Sequence, residues 1–185
     1  LLKQAERVQG SAISKDGSKL LTGHVERSSD GKVGLSVKLW RWSGGVPAIL
    51  DSKTFDDDRT ARNLLRGSLL SRFADFSRSG DAAVVAVGTS YVWFDISAEK
   101  LVGKPVQCRN TVWSVGFSSD GRYVMGSDDL NTTLVSTENV GELAPVRIEN
   151  AHEGDVYSFA ISPNSRMVAT CSWDSTIRLW DLNDN

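Results

Sequence analysis

Cysteine, histidine, long apolar runs and excess charge are all scarce in this sequence. Two cysteines in 185 residues, Cys108 and Cys171, make neither a disulfide framework nor a metal-ligand spacing. A reduced intracellular chain is expected, in cytoplasm or nucleus, with no metal and no cofactor. The longest purely apolar stretch, Ala82 to Val87, is far too short to cross a bilayer. Lys and Arg number 21 against 23 Asp and Glu, a net charge of −2. That balance argues against a general nucleic-acid or membrane-surface binder. No leader pattern is visible, and the chain opens Leu1-Leu2-Lys3 without Met, so an excerpt of a longer protein is expected.

What the sequence does contain is a recurring unit, clearest from Ala151 to Asp181. Val156, Phe159 and Ile161 form an apolar run closed by the turn cluster Ser162-Pro163-Asn164-Ser165. Met167 to Thr170 follows and ends at Ser172-Trp173-Asp174-Ser175, and Ile177 to Trp180 ends at Asp181. Short β-branched and aromatic runs between turn formers predict antiparallel strands. The middle run is apolar at both parities, Val168 and Thr170 on one face and Ala169 and Cys171 on the other. Such a strand needs cover on both faces, hence neighbouring sheets stacked on it.

His152 before the first strand, Thr170 in the second, Asp174 in the turn and Trp180-Asp181 at the end together resemble the WD-repeat family. The resemblance implies an all-β fold, a β-propeller of WD-repeat type. It also implies a hydrogen-bonded chain within the sheet, or blade. Asp174 would accept from His152 and from turn amides, and Thr170, or Ser172 of the same parity, would bridge to the Trp180 indole. Ala151 stands where the family usually has Gly. The stretch Met167 to Ser175 is similar to the last blade of heterotrimeric G-protein β subunits.

Three more segments align to this unit, giving blades of about 1–50, 51–108, 109–150 and 151–185 in a single propeller segment. In the first, Val8 to Ser14, Lys15-Asp16-Gly17, Leu20-Leu21 and Val37 to Trp40 correspond, with Arg41 in place of Asp. His24 follows the second strand, so its Gly-His pair is read as a misleading match. The second has Ala82 to Val87 and Tyr91 to Asp95, with Phe94 in the Trp position. The third has Val112 to Ser118, Tyr123 to Ser127 and Thr132 to Ser136, with Ser136 in the Trp position. Outermost strands are predicted at Ala48–Leu50, Pro105–Cys108 and Val146–Ile148. Four blades are expected to be part of a larger ring, typically of seven, with further WD repeats in the same chain.

Spacing marks two insertions. Asp16 to Trp40 spans 24 residues against 16 for Asn164 to Trp180, so a loop about eight residues longer is expected around His24 to Gly34. Trp40 to Ser79 spans 39 against 26 for Phe94 to Asp120, with a short helix expected at 57–65. In a four-stranded meander both insertions emerge at one end, and long loops on a rigid scaffold often carry function.

His152, Thr170 and Asp174 might suggest a hydrolase triad, but the hydroxyl lies inside a strand and no G-x-S-x-G elbow exists. A structural role is expected instead. Asp56-Asp57-Asp58 lacks the spaced oxygens of a calcium loop and reads as solvated. Trp173 occupies the position before the turn Asp, whose equivalent in the G-protein β family contacts partners. That family also uses a first-strand position at the channel mouth, held here by Gln9, Arg72, Trp113 and Tyr157. Arg, Trp and Tyr are enriched at interface hot spots. The family's Trp-Asp-x-Arg adaptor device is lacking, with Asn183 after Trp180-Asp181 and Ser43 after Arg41. The expected function is a non-catalytic protein-interaction scaffold or sensor, with other proteins as partners. The alternative is an enzyme with a small-molecule pocket in the channel.

Overall fold

A computed structural model describes residues 7–27, 33–43, 46–55, 74–97, 99, 102–128, 131–136, 146–148 and 150–182. Serine and an acid, or in one case its amide, build the turns on which the fold depends. In the first, Ser14 Oγ donates to Asp16 Oδ1 at 2.6 Å, the Ser18 amide caps the same carboxylate at 3.0 Å, and the Lys19 amide bonds Ser14 Oγ at 2.9 Å. Gly17 supplies the left-handed backbone at φ 71° that closes the reversal. Ser118, Asp120 and Gly121 repeat this turn, and Ser162, Asn164 and Ser165 repeat it with φ 56° at Ser165. In the second unit the acid is displaced to Asp81, which accepts from Ser77 at 2.9 Å and from Ser79.

These reversals produce meander sheets. The first consists of β1 (Arg7–Ile13), β2 (Lys19–Arg27), β3 (Val33–Ser43) and β4 (Val46–Phe55), hydrogen-bonded in that order. The second is β5 (Ala74–Phe76), β6 (Ala82–Val87), β7 (Ser90–Asp95) and β8 (Val102–Gln107). The third is β9 (Val112–Phe117), β10 (Tyr123–Asp128), β11 (Asn131–Ser136) and β12 (Val146–Ile148). Among the described residues the fourth has three strands, β13 (Val156–Ile161), β14 (Met167–Ser172) and β15 (Ile177–Asp181).

The sheets stack face on face, one face of each against the opposite face of the next. Leu21, Leu35, Val37 and Leu39 of the first meet Phe76, Val85, Val92 and Phe94 of the second. Val84, Ala86 and Tyr91 of the second meet Val112, Val115 and Val124 of the third. Met125 of the third meets Phe159 and Val168 of the fourth. The second interface interlocks: Gly126 lies under the wholly buried Tyr91 ring, where an added Cβ would come within 2.5 Å of Cδ1. Gly126 pairs with Val115 as Thr170 pairs with Phe159, so the aromatic ring fills the space of a missing threonine side chain.

Several expectations change on this register. The first spacing excess is a longer hairpin, with β2 paired to β3 from Lys19↔Arg41 through Arg27↔Val33, so His24 is inside β2 and not beyond it. Val135, opposite Val124 as Trp180 is opposite Val168, holds the Trp position in the third sheet, not Ser136. With no Trp in this strand, the sequence pattern alone points one residue too far along β11. The first sheet runs to Phe55. In β14 only one face is buried, at Val168, Thr170 and Ser172; the face bearing Ala169 and Cys171 is half-buried. The helix expected at 57–65 and the run Asp56–Asp58 lie outside the described residues.

Candidate functional site

Each threonine of the second strand gathers a histidine and an indole. In the fourth sheet Trp180 Nε1 donates to Thr170 Oγ1 at 2.9 Å, and His152 Nε2 lies 2.7 Å from the same oxygen. His152 Nδ1 is 2.9 Å from Asp174 Oδ2. A carboxylate only accepts, so Nδ1 carries the proton, Nε2 accepts from the Thr170 hydroxyl, and that oxygen accepts from the indole. A neutral imidazole therefore satisfies every member of the chain. Ser172 does not bridge to the indole: its Oγ donates to Gly154 O at 2.8 Å and accepts from the Asp174 amide at 3.1 Å. Asp174 also takes the Glu153 and Thr176 amides at 3.1 and 2.9 Å and the Thr176 hydroxyl at 2.6 Å. The Thr176 hydroxyl first, then these amides and His152, holds its carboxyl well below the usual carboxylate range, against the opposing effect of burial.

The first sheet rebuilds the bridge from another direction. Trp40 Nε1 donates to Thr22 Oγ1 at 2.7 Å, and His24 Nε2 is 2.7 Å from that oxygen. His24 reaches it from two residues along β2, on the same face, whereas His152 reaches Thr170 from the loop before β13. The Gly-His pair is thus not at the family's position before the first strand, but it lies inside β2, and its side chain arrives at the equivalent hydroxyl. His24 holds the register position of Ser172, one residue pair beyond Gly23 and Cys171. The third sheet uses that position again: Asp128, where Ser172 would be, accepts the Arg109 and Asn110 amides at 2.8 and 3.3 Å. It pins the loop before β9 as Asp174 pins the loop before β13. Neither His24 nor Asp128 was found by sequence spacing; alternation along β2 and β10 was the available signal. Both histidines of the chain are buried, at 0% and 2% exposure.

The first-strand positions singled out from the sequence share a backbone feature. Val8 pairs with His24 and Gly10 with Gly23, leaving Gln9 unpaired. The register likewise shifts at Trp113, between Val112 and Ser114, and at Tyr157, between Val156 and Ser158. Each is a β-bulge residue at the same end of its sheet, a device that re-aims a side chain away from the regular pleat. Arg72 lies outside the described residues. Trp173 follows β14 at that same end, 73% exposed, with its amide bonded to Asp155 O at 3.1 Å; Tyr157 beside it is 39% exposed. Trp113 is half-buried. Among the described residues no group of three His, Cys, Asp or Glu could hold a metal ion, and no helix is long and apolar enough to cross a membrane.

Stacked antiparallel meanders with a Thr–His–indole bridge define a partial β-propeller. A family model, the WD domain, G-beta repeat, matches residues 101–132 and 143–181. Those two stretches, in the second to fourth sheets, match WD repeats, and a WD-repeat family is supported for the chain. It is 32% identical over 83 residues to protein HIRA of Dictyostelium discoideum, covering 40% of this chain and 8% of that protein. To a probable cytosolic iron-sulfur protein assembly protein CIAO1 homolog of Caenorhabditis elegans it is 31% identical over 93 residues, 43% of this chain and 28% of that protein. Actin-interacting protein 1 of Drosophila melanogaster shares 35% over 75 residues, 38% and 12% of the two chains. The aligned stretch spans less than a third of each relative's length.

Proposed function

We propose that the chain is a non-catalytic protein-interaction module, a scaffold or sensor, within a larger assembly in the cytosol or nucleus. Its partner docks at the end of the sheets that bears Trp113, Tyr157 and Trp173. The observation that carries this reading is the 73% exposure of Trp173 on a turn whose backbone is tied on both sides. A large rigid side chain held out to solvent costs little entropy to bind and offers a hot-spot anchor. The relatives support the class: one is named for assembling iron-sulfur proteins and another for interacting with actin. Further repeats would cover the outer faces of the stack, where Ile13 and Ile49 on the first sheet and Ile177 and Leu179 on the fourth are more than half exposed. A seven-bladed ring is the proposed whole.

The test is a pull-down from source cells with the full-length protein, comparing Trp173→Ala with Arg166→Ala at the opposite end of the fourth sheet. Trp173→Ala is expected to lower affinity about 30-fold, the equivalent of about 2 kcal/mol for a central anchor. Equal recovery of the same partners by both variants would remove this end as the docking face.

A further inference from the structure

The opposite end of the sheets carries a site of its own. The turns Ser77–Asp81 and Ser118–Arg122, from the second and third sheets, stand apart around a cavity of ≈ 640 Å³. That volume is in the range of ordinary ligand sites. Its floor is aromatic, made by Trp93 of β7 and Phe117 at the end of β9. Trp93 pairs with Val84 as Leu39 pairs with Leu21 and Leu179 with Ala169. An indole therefore occupies a position where leucine is enough for the first and fourth sheets. A second hollow of ≈ 310 Å³ continues past Arg78 and Ser119 to Lys15, on the first sheet's turn. The walls are held by the serine-capped turns and by the left-handed glycines Gly80 and Gly121, at φ 76° and 75°.

Hydrogen-bond accounting decides what fits. Asp81 already accepts from Ser77 and Ser79, and Asp120 from Ser118 and from Arg122 Nε at 2.7 Å. Asp75 accepts the Phe117 amide across the sheet interface at 3.0 Å. The side chains of Arg78 and Lys15, both exposed, have no hydrogen bond or ion pair among the described residues. The groove thus offers the donors of Arg78 and Lys15 beside an apolar floor. Its carboxylates stay ionised but have cations of their own, Asp120 in an ion pair with Arg122 and Asp81 in the field of Lys19. We propose that it binds an extended acidic peptide segment, one large apolar side chain resting on Trp93 and Phe117 and flanking carboxylates meeting Arg78 and Lys15. This is a second docking surface, remote from Trp173.

The experiment uses the full-length protein and two fluorescein-labelled pentapeptide libraries with a central Leu or Phe, flanked by Asp and Glu in one and by Lys in the other. Fluorescence polarisation should show binding of the acidic library alone, weakened by raised salt. Arg78→Glu, on an exposed turn, should weaken it about 10-fold and remove most of its salt dependence. Trp93→Leu should weaken it by a similar factor while the chain stays folded, since leucine is the residue two other sheets use there. The Trp93 indole N–H signal, identified by its loss in Trp93→Leu, should move when acidic peptide is added. Trp173→Ala should leave all of this unchanged, which separates the result from the partner-capture test. Absence of acidic binding at about 1 mM, preference for the basic library, or insensitivity to either groove variant would overturn the proposal.

Discussion

Replacing the bridging threonine by valine tests the energetics of the two Thr–His–indole bridges against one another. Valine preserves shape and removes the hydroxyl, so the indole N–H and the imidazole Nε2 lose their shared partner in one step. At Thr22 both orphaned groups are dry, with Trp40 at 4% and His24 at 0% exposure. At Thr170 the histidine is equally dry, but Trp180 is only half-buried and its N–H can turn to water. With about 1–3 kcal/mol for each buried group left unpaired, Thr22→Val should cost about 3 kcal/mol and Thr170→Val about 2 kcal/mol. Serine at either site keeps the oxygen and loses one methyl, at about 0.8 kcal/mol. Urea unfolding of the four variants, followed by tryptophan fluorescence, should rank Thr22→Val as the least stable and both serines as the most. Hydrogen exchange of the Trp40 and Trp180 indoles should quicken in the valine variants alone. A valine variant as stable as its serine counterpart would refute the bridge as a contributor to stability.

Gly126→Ala places a Cβ 2.5 Å from the Tyr91 ring and should cost about 1–3 kcal/mol by overpacking, read from the same unfolding curves. Gly154→Ala meets backbone, with a Cβ 2.8 Å from the Asp174 amide nitrogen, so it should loosen the loop before β13 and expose it to limited proteolysis. Asp16 is lowered to about 2, chiefly by the Ser14 hydroxyl and then by Ser18, and Asp174 is lowered further. Depressed carboxyls stabilise the fold above their unfolded value and lose that contribution as pH falls through the folded value. Stability should hold down to about pH 4 and fall progressively toward pH 2, and Asp174→Asn should flatten that fall in an acid titration followed by circular dichroism.

The sequence was informative where side-chain type and turn chemistry act locally. Turn formers after each first strand bound the strand pairs correctly, and Trp40, Phe94 and Trp180 fall at one register position because each was large enough to anchor an alignment. Val135 was missed for want of such an anchor. His24 and Asp128 were missed for a different reason: one reaches a hydroxyl two residues back on its own strand and the other the amides of a distant loop, both from a position that spacing alone treats as beyond the repeat's polar set. The bulges at Gln9, Trp113 and Tyr157 are also invisible in spacing, since one extra residue in a strand leaves the hydrophobic pattern almost intact. The groove floored by Trp93 needed three dimensions, because its walls come from turns some 40 residues apart in the chain.

The contact of Tyr91 with Gly126 bears on how freely such units could be rearranged. A solenoid of interchangeable parts would let any sheet follow any other, as in arrays built from a consensus repeat. Here the third sheet is keyed to its predecessor. If the fourth sheet were spliced directly after the second, Thr170 would collide with the Tyr91 ring, while the third sheet placed after a sheet without that tyrosine would leave a void over Gly126. The order of the cassettes is therefore written into their facing surfaces as well as into the chain, and duplication or shuffling of one of them alone would have to change both sides of the joint together.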